Sequence, residues 1–179
     1  MKQNNGLIEE NPFWDFSLKF YGQQNIASSC LALQESVGAD VNILLYCCWV
    51  ASEGAAVIEL TEFAEIIETI EPWQSGVIRG LRQIRRNMKQ ERMLDLGELS
   101  ESLRDKIKNC ELEGERLEQM ILYQSGQQLF VGGSDQSSET IANAEINLKN
   151  YITIISGDIA ENTNKLILII SGGVGTIID

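Results

Sequence analysis

Histidine is absent from the 179 residues of this chain. That absence removes His-based triads, His general bases and every metal site that depends on imidazole, including helical di-iron centres built on Glu-x-x-His. Cysteine is sparse: Cys30, Cys47, Cys48 and Cys110, with no Cys-x-x-Cys spacing. Their apolar or helical neighbours read as buried, reduced thiols, and a nucleophilic thiol would lack its usual base. No apolar run reaches the roughly 20 residues that cross a bilayer. The opening stretch MKQNNGLIEENP has no apolar signal core, which leads to the expectation of a cytoplasmic protein that does not engage a membrane. Basic side chains are the minority, 14 against 26 acidic ones, for a net charge of −12. Such a balance argues against nucleic acid and anionic lipid as partners. Internal repeats and low-complexity segments are missing, and the length suits one domain that can bury its own core.

The stretch Asp40–Ser52, DVNILLYCCWVAS, is apolar nearly all round. A helix without a polar face lies inside other structure. Asp40 caps its N-terminus, and the expected architecture is an all-α, single-domain bundle of about six to eight helices around a buried central helix spanning 40–53. Residues 1–10 read as a disordered or extended N-terminus, and 11–179 as the helical domain.

Around the central helix the elements follow from spacing and punctuation. Asn11-Pro12 opens an aromatic helix carrying Phe13, Trp14, Phe16, Phe20 and Tyr21, mostly core, with Gly22 at its end. Ile26, Cys30, Leu33 and Val37 recur at helical steps up to Gly38. A fourth helix, capped near Thr61, turns Phe63, Ile66, Ile67 and Ile70 inward and Glu62, Glu65, Glu68 and Glu71 to water, and Pro72 is expected to break it. A fifth helix starts there, and a sixth, about Ser100–Gln124, carries Leu103, Ile107, Cys110, Leu117, Ile121 and Leu122. Gly126–Ser138 reads as a loop. Beyond it, helical spacing continues through Leu166, as one helix or as two broken near Gly157 or Asn162. The β-branched clusters Tyr151–Ile155 and Leu166–Ile170 leave a strand open, and Gly172–Gly175 is expected to end regular structure.

Several words of the sequence, NPFWDFSLKFY (11–21), CLALQESVGADVNILLYCCWVA (30–51) and ELEGERLEQMIL (111–122), together with Trp73, Leu81-Arg82, Arg85-Arg86 and Lys89, resemble an uncharacterised proteobacterial family of short hypothetical proteins, a domain of unknown function. The resemblance runs over about Asn11–Leu122. It implies an intracellular bacterial protein and carries no activity with it.

Charge is distributed unevenly. Nine of the fourteen cations fall within residues 72–108. Arg79, Arg82, Arg86 and Lys89 form one ridge of the fifth helix, flanked by Arg85, and Glu111, Glu115 and Glu118 form an acidic ridge on the sixth. Three readings stand: the ridges pair across neighbouring antiparallel helices through arginine forks, or the cations hold phosphate or an acidic protein, or the ridge is a solvated face with no special role. Metal binding by the acidic ridge is disfavoured, because a facing carboxylate helix and an Asp-x-x-x-Asp pair are missing; neither a metal nor a cofactor is expected. Asp15 and Asp40 read as helix-terminus charges rather than a catalytic pair. The leading functional expectation is a non-enzymatic binding or adaptor protein working through an unidentified protein partner, or through a second copy packed on the Ile-rich C-terminal segment. The alternative is a protein that binds, or acts on, a phosphorylated small molecule through the arginine helix.

Overall fold

The computed structural model describes residues 11–55, 57–90, 97–126 and 139–178. Among them the chain forms α1 (Pro12–Tyr21), α2 (Ile26–Val37), α3 (Val41–Ser52), α4 (Leu60–Trp73), a π-helical turn (Gln74–Ile78), α5 (Arg79–Gln90), α6 (Glu98–Ser125), α7 (Thr140–Ser156) and α8 (Glu161–Ile178), with no strand among the described residues. It is an all-α bundle. The expected disorder of residues 1–10 and the loop after Gly126 lie outside the described residues.

Helix α3 is the axis. Asp40 accepts a 2.7 Å bond from the Asn42 backbone N–H at its start, and every residue from Asn42 to Ala51 is buried. It packs most extensively on α7, and also on α1, α6, α8 and α2. Phe13 sits edge-on to Tyr46 at 5.5 Å between ring centroids and 5.2 Å from Trp49. Phe16 stacks on Phe20, and Phe63 stacks on Tyr151. Such close-packed rings supply much of the burial that offsets chain entropy.

Several expectations need correction. Pro72 does not end α4. Its missing N–H and bulky ring disturb one turn, and the helix runs on through the wider π turn directly into α5, a common way of absorbing a local defect. The cap of α4, expected near Thr61, is Glu59, which forms a reciprocal capping box with Glu62. Of the alternatives left open for the C-terminal segment, the two-helix one holds, parted at Gly157, whose φ of 77° is left-handed, with no strand among the described residues. Nor does Gly172–Gly175 stop α8. The helix passes through, because α8 crosses the α1–α2 corner at close range: a Cβ on Gly173 would lie 2.7 Å from Ile26 Cδ1 and 3.1 Å from Phe20 Cε2. The glycines there permit packing rather than ending a helix. Three cysteines are buried and free, but Cys110 is exposed.

The largest revision concerns α6. Leu103 and Leu117, two of the apolar residues it carries, are about half exposed. The face it buries carries Glu111, Gly114, Glu118, Gln119 and Leu122. Gly114 lets α6 approach the π turn, with a Cβ there 3.4 Å from Ile78 Cγ1, and its carbonyl accepts a 2.9 Å bond from Trp73 Nε1.

Candidate functional site

Helices α5 and α6 run antiparallel, and their charged ridges meet. Arg82 Nε donates to Glu111 Oε1 at 2.8 Å and Arg82 Nη2 to Glu115 Oε1 at 2.7 Å; Arg85 reaches Glu111 Oε2 at 2.5 Å. Arg79 instead turns back to Glu71 at 3.2 Å, an exposed pair. Arg86 and Lys89 make no ion pair among the described residues. The acidic ridge splits: Glu111 and Glu115 meet arginines, whereas Glu118 points deeper. Burial works to raise the Glu111 carboxyl, but bonds to Arg85 and Arg82 outweigh it and hold it below its ordinary range. Glu115 is raised by burial, because one arginine does not offset desolvation and the neighbouring Glu111 charge.

Glu118 is fully buried. Its Oε2 accepts a 2.5 Å bond from Asn42 Nδ2. Asn42 Nδ2 also reaches the Glu115 carbonyl at 3.3 Å, and Asn42 Oδ1 accepts from Gln119 Nε2 at 2.9 Å. Asp40 accepts from Gln74 Nε2, while its backbone N–H donates to Tyr151 Oη at 2.7 Å. Burial, and then the Asp40 charge, push the Glu118 carboxyl up to about 8. Burial likewise raises Asp40, opposed by its backbone bonds and the positive charges of Arg82 and Arg79.

These groups line one cavity of about 400 Å³ enclosed by α1, α2, α3, the π turn, α5 and α6. Asp40, Asn42, Gln74, Glu118 and Gln119 form its floor. Trp14, Tyr21, Leu18 and Leu45 are walls, and Arg82, Arg85, Arg86 and Lys108 contribute positive charge. Of the residues singled out in the sequence, Arg82, Arg85, Arg86, Glu111, Glu115 and Glu118 come together here; Arg79 and Lys89 do not. Asn42, Gln74 and Gln119 were missed and Asp40 was read only as a cap. A lone Asn inside an apolar helix was the available signal for Asn42, since a buried amide needs partners. Nothing in the sequence linked Gln74 to it. The buried thiols take no part: burial pushes Cys30 up to about 12, and Cys47 and Cys48 well up, so all three stay protonated. Among the described residues no three Asp, Glu or Cys side chains are grouped to hold a metal ion, and no helix is long and apolar enough to cross a membrane.

Fold and cavity together define a helical-bundle protein with a largely apolar cavity, polar at its floor, between its central helix and a charged helical hairpin. Residues 12–122 match the family described as protein of unknown function (DUF2390), and the chain belongs to that family. It matches no curated protein and no solved structure. The matched segment contains every residue that lines the cavity, whereas α7 and α8 lie beyond it.

Proposed function

We propose that this protein binds a small anion-bearing molecule, a phosphate or carboxylate compound, in the chamber between α3 and the α5–α6 hairpin. The observation that carries the reading is a concave, aromatic-walled cavity of about 400 Å³ with Arg86 and Lys108 on its lining and without ion-pair partners among the described residues. Ligand sites are typically mostly apolar pockets with a few convergent polar groups. Arg82 and Arg85 are already engaged by Glu111 and Glu115, so they act chiefly to fix the wall, and the uncommitted cations are the ones that can meet an anion. The adaptor reading rests on a different feature, the exposed Leu99 and Leu103 near the start of α6, which would serve a protein surface rather than a chamber.

Thermal melting in inorganic phosphate and pyrophosphate tests the proposal. A melting temperature that rises with anion concentration, against matched chloride, is expected by mass action, and the rise should shrink in Arg86→Ala/Lys108→Ala. No rise, or one fully retained in the double variant, would overturn it.

A further inference from the structure

The floor of the chamber has more acceptors than donors. Three buried oxygens of the floor have no hydrogen-bond partner among the described residues, Glu118 Oε1, Gln74 Oε1 and Gln119 Oε1, and the Ser17 hydroxyl on the lining has none either. Glu118, Gln74 and Gln119 are 0%, 6% and 2% exposed, and all three line the cavity. The orientation of each amide follows from its neighbours. Glu118 Oε2 draws Asn42 Nδ2, which leaves Asn42 Oδ1 to draw Gln119 Nε2; the Asp40 carboxylate draws Gln74 Nε2. Each amide nitrogen is thereby turned to the protein, and the oxygens of Gln74 and Gln119 are left over. Reversing Gln119 would set its oxygen against that of Asn42. Buried oxygens left without donors are costly, so a set of three around one space calls for a donor group from outside the chain.

Resting on the reading of the chamber as a ligand site, we infer that its ligand carries a protonated primary amine, seated on Glu118 Oε1, Gln74 Oε1 and Gln119 Oε1, at the end opposite its anionic group. An ammonium has three N–H donors and no acceptor, which matches three orphan acceptors, and the buried carboxylate supplies its counter-charge. Hard divalent cations prefer six or more oxygen ligands, and both Asp40 oxygens already accept protein hydrogen bonds. In the empty site Glu118 is largely protonated at neutral pH, and its Oε1 becomes a free acceptor once that proton leaves. The charged groups acting on Glu118 are Asp40, Glu115 and Arg82, and Tyr151 approaches from α7. An arriving ammonium favours the carboxylate, so the Glu118 proton passes to solvent as the ligand binds.

The experiment is calorimetric titration of the full chain with phosphoethanolamine, inorganic phosphate, ethanolamine and magnesium chloride, at pH 7 in buffers of different ionisation enthalpy. Phosphoethanolamine should bind at least tenfold more tightly than phosphate and release close to one proton. Glu118→Gln should abolish that advantage over phosphate and the proton release. Proton release is read on the unaltered protein, so it stands even where the variant folds poorly. Equal affinity for phosphate and phosphoethanolamine would overturn the amine assignment and leave the anion reading in place; water alone would then occupy the floor. Ethanolamine binding with proton release, in the absence of phosphate binding, would support the amine and reject the anion. Magnesium binding abolished by Glu118→Gln would assign the floor to a metal and overturn the inference. No binding of any probe would remove the ligand site itself.

Discussion

Helix α3 has two unlike neighbourhoods. Toward α7 and α8 it packs in a dry core where Leu148, Ile152, Ile167, Ile170 and Val174 are buried. Its N-terminal end, toward α6 and the π turn, meets Asp40, Asn42, Gln74, Glu118 and Gln119, all buried as well. Both sets of side chains are buried, but at different cost. The dry side gains by removing apolar surface from water and needs only shape. The polar side must satisfy each buried group and leaves three oxygens unmet. Buried polar groups retained against that cost cluster at functional sites, so the contrast itself locates the chamber. The dry side also carries Asn147, whose Oδ1 accepts the Ile58 N–H at 2.8 Å and whose Nδ2 donates to the Cys47 carbonyl. This is how a buried amide looks when its role is structural: both ends are occupied.

The largest expected effect is on the dry side. Phe13→Ala removes a ring held between Tyr46 and Trp49 and should cost about 3–5 kcal/mol in urea unfolding. A loss below about 1 kcal/mol would mean that the aromatic cluster is not part of the cooperative core.

Next comes the pH response of the polar side. Glu118 binds a proton more tightly in the folded protein than in the unfolded chain, with its carboxyl raised from 4.5 to about 8. Its contribution is therefore fully present below pH 4.5 and lost as pH rises toward 8. The slope is on the order of 1 kcal/mol per pH unit in that window. Glu118→Gln should flatten the decline and gain on the parent protein as pH rises. Parallel stability curves for parent and variant would show that Glu118 does not titrate there.

The smallest effects belong to the hairpin. Arg82→Ala strips Glu115 of its arginine but leaves Glu111 with Arg85. A cost of about 2 kcal/mol is expected, between the values for exposed and buried pairs, and Arg82→Ala/Glu115→Ala should recover part of it. Arg79→Ala, at the exposed pair with Glu71, should cost at most about 1 kcal/mol. Strictly additive losses for Arg82 and Glu115 would reject their coupling.

What the amino-acid sequence determined by itself is local and periodic. The whole-circumference apolarity of Asp40–Ser52 placed a helix at the centre, and Asn11-Pro12, Gly38 and Asp40 marked true helix ends, because caps and side-chain spacing act within a turn or two. The pairing of Arg82 with Glu115 was legible as well, since two ridges with helical spacing meet when a short connection makes the helices antiparallel. Tertiary structure decided the rest. Pro72 reads as a stop by its own chemistry, yet the π turn carries α4 into α5 and brings Gln74 onto Asp40. Gly173 reads as a helix end, yet it is a contact with Ile26, about 150 residues earlier in the chain. Glu118 has the same spacing as Glu111 and Glu115, but the rotation of α6 against α3 turns it from the arginines to Asn42. Whether a carboxylate meets a guanidinium, water or a buried amide depends on which surface faces it. That is set by packing between distant segments, which no local pattern encodes.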